Sequence, residues 1–208
     1  TSTDTTKDGY FEIEDEVGQY GPEEVPGVKM WVNIFDSDEN KNVATRLFRL
    51  ESQDQFLDLL NKRNEIPLWA SQARNRAQVD VAGLNKVGEY DLPIHRLDYN
   101  QYILFPDKLP IGYYLAQFTV KGQTRQSFIQ ISNLTAYTSI SKTNSLVRIY
   151  SLAGQKPAAE TILTLYQGEL EERTNNEGIA FFATPEVLLT TSEKSRFLLA
   201  TGADGALV

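Results

Sequence analysis

From Leu134 to Val208 the chain runs in short alternations of apolar and polar residues: LTAYTSI, SLVRIYSL, ETILTLYQ, ELEERT, GIAFFAT, SRFLLAT and ALV. Turn clusters separate them, among them SKTN, AGQKPAA, NNEG and GADG. Alternation with period two buries one face of a strand and wets the other, while Gly, Asn and Pro supply the backbone angles that reverse the chain. Seven short strands at this spacing cannot bury their apolar faces singly. They predict two antiparallel sheets packed face to face, with no helix of consequence.

The first part of the chain repeats the pattern with one interruption. VKMWVNIFDS places Val28, Met30, Val32 and Ile34 on one side and Trp31 and Phe35 on the other. ATRLFRLES follows across the polar turn DSDENKN, a spacing that predicts a hairpin. Ser52 then sits three residues before Gln55, a capping-box spacing, and Phe56, Leu57, Leu59 and Leu60 form a stripe at helical period. A short helix is expected near 52–64. Residues 67–88 have poor periodicity and read as a long, partly helical connection pinned to the core by Trp69. Strands resume with IHRLDYNQYILFP, GYYLAQFTV and QSFIQIS, the last two joined by KGQT around Gly122.

At 208 residues the chain is long for one core and comfortable for two, and 41% hydrophobic residues suffice to fill them. The division expected is an acidic lead-in over 1–27, able to supply a first strand, then sandwiches over 28–133 and 134–208. Ser132, Asn133, Leu134 and Thr135 would connect them. The lead-in sets Lys7 against Asp4, Asp8, Glu12, Glu14, Asp15, Glu16, Glu23 and Glu24, so most of the net charge of −8 lies there. An acidic chain without a basic stripe does not suit nucleic acid or an anionic membrane. No run approaches the ~20 apolar residues that cross a bilayer as a helix. The start lacks Met and any signal-like pattern, as in a processed chain or a piece of a longer one.

Chemistry-bearing constellations are sparse. The absence of Cys removes disulfides, Cys-ligated metals and thiol nucleophiles. A lone histidine, His95, sits in a strand pattern and has no sequence-adjacent partner for a triad or metal site. The carboxylate runs EIEDEVG and ELEERT read as solvated strand edges rather than as a facing acid-base pair. Neither a phosphate loop nor a nucleophile elbow occurs. Asn133-Leu134-Thr135 matches the glycosylation acceptor pattern, but so short a motif recurs by chance. No catalytic residue, cofactor or metal is expected.

RTNNEGIAFF, from Arg173 to Phe182, resembles an ion-binding loop at first sight. With Gly178 in the sixth place of such a loop, Arg173 falls at the first and Thr184 at the twelfth, where carboxylates are required. The residues suit a tight hairpin turn instead, after which Ile179 and Phe181 face one side and Ala180 and Phe182 the other.

SLAGQKPAAETILTLY, RTNNEGIAFF and SRFLLATGADGALV, in this order, resemble a macroglobulin domain of bacterial alpha-2-macroglobulin-like proteins. LPIGYYLAQFTVKGQTRQSFIQISNLT and TRLFRLESQDQFLDLL are similar to the domain before it, so the resemblance spans roughly 28–208. It implies two tandem macroglobulin sandwiches of the immunoglobulin or fibronectin-III kind, the first with a helical insertion. It also implies a scaffold fragment of a broad-spectrum endopeptidase inhibitor that cages proteases around a bait region. Cys-Gly-Glu-Gln thioester and bait are both missing here, so neighbouring macroglobulin domains, and target proteases through the whole protein, would be the partners. The resemblance places such a protein in the periplasm or cell envelope, the parent anchored as a lipoprotein. A different function, a binding or adhesion module, would need exposed aromatics, for which Tyr99, Tyr102, Tyr113 and Tyr114 are the candidates.

Overall fold

A computed structural model describes residues 9–33, 42–189 and 195–208. The first sandwich contains β1 (Tyr10–Ile13), β2 (Val17–Tyr20), β3 (Gly27–Asn33), β4 (Asn42–Leu50), β5 (Asn85–Leu97), β6 (Asn100–Leu104), β7 (Gly112–Val120) and β8 (Gln123–Ile131). Their spatial order is β1-β3-β6-β5-β4-β7-β8-β2. β5 bends this array into two layers. Its first part, Asn85 to Pro93, pairs with β4, and its last four residues pair with β6. All pairings are antiparallel except β2 with β8, in the register Val17↔Phe128 to Tyr20↔Ile131.

The curled sheet encloses Phe11, Met30, Leu47, Ile103, Phe118 and Ile129. β8 is buried on both faces, and Phe48 and Leu50 of β4 and Leu115 of β7 are covered with Phe128 by the helical insertion on the outside. In α1 (Gln53–Arg63) the Ser52 hydroxyl accepts from the Gln55 amide at 3.2 Å, and Phe56, Leu57, Leu59 and Leu60 are buried. Phe56 meets Phe128 edge-on at 5.5 Å and Tyr113 at 5.0 Å between ring centroids. Each buried apolar side chain of that stripe contributes about 2 kcal/mol by transfer from water. α1 is held by its packing and its cap together.

The second sandwich packs two sheets around Val147, Ile149, Leu163, Ala180, Phe182 and Ala200. One contains β10 (Asn144–Ser151), flanked on one side by β9 (Leu134–Ile140) and on the other by β14 (Ile179–Ala183) and the short β11 (Lys156–Pro157). The other has the order β13-β12-β15-β16, namely Glu171–Arg173, Ile162–Leu165, Leu198–Gly202 and Gly205–Leu207. β11 and the single turn α3 (Glu186–Leu189) had no sequence signal. The tandem all-β sandwich architecture with a helical insertion is the one the sequence predicts.

Four local expectations change. β3 and β4 do not form a hairpin: β3 pairs with β1 and β6, and β4 with β5 and β7. Ile34 and Phe35, placed in that hairpin by their alternation, lie outside the described residues. IHRLDYNQYILFP is two strands, because Asp98 takes φ +55° and Leu97 pairs with Asn100 across a two-residue turn. Trp69 does not pin the connection, being 76% exposed; the buried side chains there are Arg74, on α2 (Ser71–Arg76), and Val79. Finally, Asn175 to Gly178 do turn the chain tightly, but β13 and β14 belong to different sheets, so the turn links two layers and is not a hairpin.

Candidate functional site

Several buried polar side chains, Asn64, Gln130 and Ser132 among them, gather where α1, β2 and β8 meet the last strand, β16. In β8, Gln126, Phe128 and Gln130 share one phase, so two carboxamides sit where apolar side chains would be expected. Gln130, 1% exposed, donates from Nε2 to the Ala206 carbonyl at 3.0 Å and accepts at Oε1 from the Val208 amide at 3.0 Å. One carboxamide thus takes the place of a neighbouring strand along β16. Ser132 Oγ donates to the same Ala206 carbonyl at 2.8 Å and accepts from the Leu134 amide at 3.0 Å, and the Gln19 carboxamide donates to the Val208 carbonyl. Gln126 repeats the device inside the first sandwich, bonding both the amide and the carbonyl of Val79 at 2.7 and 3.0 Å.

α1 supplies the other flank. Asn64, 2% exposed, donates to the Ser195 carbonyl at 3.1 Å and accepts from the Ser195 amide at 3.4 Å. Tyr166 donates its hydroxyl to Asp58 at 3.4 Å; burial, and then the Asp58 carboxylate, push this phenol above its ordinary range. Phe197 and Val208 pack on the cluster that contains Phe56 and Leu60. A groove of about 430 Å³ runs along this seam between Val17, Leu60, Phe197 and Val208. Side-chain carboxamides bonded to main chain from both directions fix angle as well as distance, because each satisfies one donor and one acceptor.

Behind this seam lies an ionic cluster. Arg74 donates from Nη2 to both Glu16 oxygens at 2.9 and 2.7 Å and from Nη1 to Asn64 and the Ile66 carbonyl. Arg63, 4% exposed, bonds the carbonyls of Gln126 and Ala77, and its Nε lies 3.7 Å from Glu16. Burial lowers the Arg63 guanidinium from its ordinary value, against the pull of Glu16. The adjoining cleft, about 190 Å³, holds Glu14, Glu16, Ser71 and Asn75. Its two guanidinium groups are spent on carbonyls and Glu16, so the cluster ties β2 to the helical insertion.

Of the residues singled out from sequence, Ser132 and Asn133 lie between β8 and β9, whereas Leu134 and Thr135 begin β9 opposite Ser151 and Tyr150. The Asn133 carbonyl accepts from the Leu152 amide at 2.7 Å. His95 is exposed on β5 opposite Tyr102. Tyr114 is a core residue whose hydroxyl donates to Pro110, Tyr113 packs on Phe56, Tyr102 is half-buried, and only Tyr99 of that quartet stands free at 93% exposure. The carboxylate runs do not form a facing pair: Glu14 bonds Lys29 and Trp31, Glu16 bonds Arg74, and Glu171 and Glu172 lie on β13. Gln130, Asn64, Arg63 and Arg74 went unnoticed in the sequence. For Gln130 a signal existed, in phase with Phe128 on a strand otherwise apolar.

No protein-family model and no curated protein matches the chain. Solved structures do. The native alpha-2-macroglobulin of Escherichia coli spanning domains NIE-MG1 is similar over 95% of this chain and 94% of that one, with a TM-score of 0.60 at 16% identity. The native form spanning domains MG0-NIE-MG1 is similar over 95% of this chain and 62% of that one, with a TM-score of 0.58 at 13% identity. The chain has the fold of N-terminal alpha-2-macroglobulin domains.

Proposed function

We propose that the chain is a scaffold piece of an alpha-2-macroglobulin-like endopeptidase inhibitor, cut near residue 133 into two blocks and carrying no catalysis of its own. The observation that carries the reading is the seam itself. Gln130, Ser132, Gln19 and Asn64 bond the main chain of the C-terminal block, which is what a load-transmitting joint between rigid blocks requires. Similarity to a pair of alpha-2-macroglobulin domains in the same order supports it. Neighbouring macroglobulin domains would be the immediate partners and proteases the targets of the whole protein, in the periplasm or cell envelope.

The test is to incubate the full-length parent with several endopeptidases and follow two substrates. Cleavage of a small chromogenic peptide should persist while cleavage of a large protein is blocked. Unchanged cleavage of the large protein would reject the trapping role.

A further inference from the structure

Glu16 belongs to the first sandwich, yet both flanks of the seam lead back to it. On one side its carboxylate accepts from Arg74 Nη2, and both Nη atoms of Arg74 donate to Asn64 Oδ1, at 3.2 and 3.3 Å. That oxygen also accepts from the Ser195 amide, while Asn64 Nδ2 donates to the Ser195 carbonyl. Arg74 therefore fixes which way the Asn64 carboxamide faces, because a guanidinium can only donate. On the other side Glu16 immediately precedes β2, the strand whose Gln19 donates to the Val208 carbonyl. The Glu16 carbonyl accepts from the Phe128 amide at 2.9 Å, which sets where β2 starts along β8.

Charge makes this carboxylate hard to replace. Two buried guanidinium groups, Arg63 and Arg74, share it, and Arg63 Nε, 3.7 Å from it, has no hydrogen-bond acceptor among the described residues. The other carboxylate lining the cleft, Glu14, is held by Lys29 and Trp31. Without the charge of Glu16, two cations are left buried against each other. The cleft of about 190 Å³ beside them gives Arg74 a way out to water, and turning into it withdraws both donors from Asn64. We infer that the Glu16–Arg74 ion pair is a lock on the seam between the two sandwiches. With the pair made, Asn64 and Gln19 hold the second sandwich; with it broken, both let go. The lock rests on the reading of the seam as a rigid joint, and it makes that joint answer to a charge lying outside it.

Hydrogen exchange on the whole 208-residue chain tests the lock. Glu16→Gln keeps shape and removes charge at a partly exposed side chain. Protection of the Ser195 and Val208 amides should fall about five- to twentyfold, while amides of β4, β7 and β10 keep their rates. Arg74→Lys keeps the charge but lacks the fork that spans Glu16 and Asn64, so Ser195 should lose protection to a similar degree. Glu14→Gln, in the same cleft, should change neither amide. In an Asn64→Ala background, Glu16→Gln should add less than about twofold at Ser195, because its path there is already cut. Wild-type protection at both amides in Glu16→Gln, an equal loss in Glu14→Gln, or an undiminished effect at Ser195 without Asn64 would each overturn the lock. Unchanged protection of Ser195 in Asn64→Ala alone would instead reject the joint on which the lock rests.

Discussion

At Gly178 a single hydrogen atom decides whether the chain can pass between its two layers. The residue takes φ +70°, and an added Cβ would lie 2.4 Å from the Ile149 carbonyl and 3.1 Å from the Ala158 amide. Both groups are used, since Ile149 donates to the Gly178 carbonyl and Ala158 donates to that of Ile149. Gly178→Val therefore combines a backbone clash with a strained φ, and a loss of about 2–4 kcal/mol is expected, read as a lower denaturant midpoint at unchanged slope. Gly83 is the control, with φ +82° and open space around its Cβ position, so Gly83→Ala should cost only about 1 kcal/mol. Calcium should leave the melting temperature of the wild type unchanged, because Asn175 spends its side chain on the amides of Glu177 and Ile179. Tyr20 sets a second residue-scale expectation. Burial, with a smaller contribution from Asp15, pushes its phenol up from 10.0 to about 12, while its hydroxyl donates to Gly27 at 2.6 Å. The folded state thus keeps a proton that the unfolded chain releases. This stabilisation is complete below pH 10 and is lost as pH rises from 10 toward 12, amounting to roughly 2–3 kcal/mol. Tyr20→Phe should flatten the alkaline limb of stability against pH while lowering stability near neutrality by about 1 kcal/mol.

Among the elements, legibility followed how local the determining physics was. α1 could be read outright, because Ser52 and Gln55 and the Phe56–Leu60 stripe lie within one segment. The turn at Lys121 and Gly122, with φ +45° and +80°, could be read for the same reason. Pairing partners could not. β3 and β4 are sequence neighbours with well-marked faces, but which strand a strand joins depends on the whole curl, and β5 bending between two layers leaves no periodic mark. Trp69 misled because bulk and apolarity argue for burial, whereas the connection is held by the guanidinium of Arg74. Of the segment expected to connect the sandwiches, Ser132 bonds Ala206 across the seam, whereas Leu134 and Thr135 belong to β9. Asn64 and Ser195 are 131 residues apart, and no local pattern couples them. The device in β8 can be tested alone. Gln130→Leu keeps volume but leaves the Val208 amide and one bond to the Ala206 carbonyl unmade. Each buried group so stranded costs about 1–3 kcal/mol, so hydrogen exchange at Val208 should accelerate at least about tenfold while amides of β10 and β14 keep their rates.

For the whole molecule, the seam decides whether two sandwiches behave as beads on a string or as one elbow. A connector as short as Ser132 and Asn133 limits separation but leaves rotation open, and rotation is what polar groups bonded from two flanks remove. On one flank Gln130, Ser132 and Gln19 hold Ala206 and Val208; on the other Asn64 holds Ser195, with Phe197 and Val208 packed on the α1 cluster between them. Loss of one flank leaves a pivot, and loss of both leaves a tether. Residual dipolar couplings measured separately for 9–131 and 134–208 should therefore fit a single alignment tensor in the wild type. With Gln130→Ala or Asn64→Ala alone, the tensors should diverge modestly. With both, the magnitude of alignment of the smaller sandwich should fall to about half or less, at nearly unchanged chemical shifts in the two cores. Two unequal tensors in the wild type would mean that the seam opens in solution, and the rigid-joint account of the scaffold would fail with it.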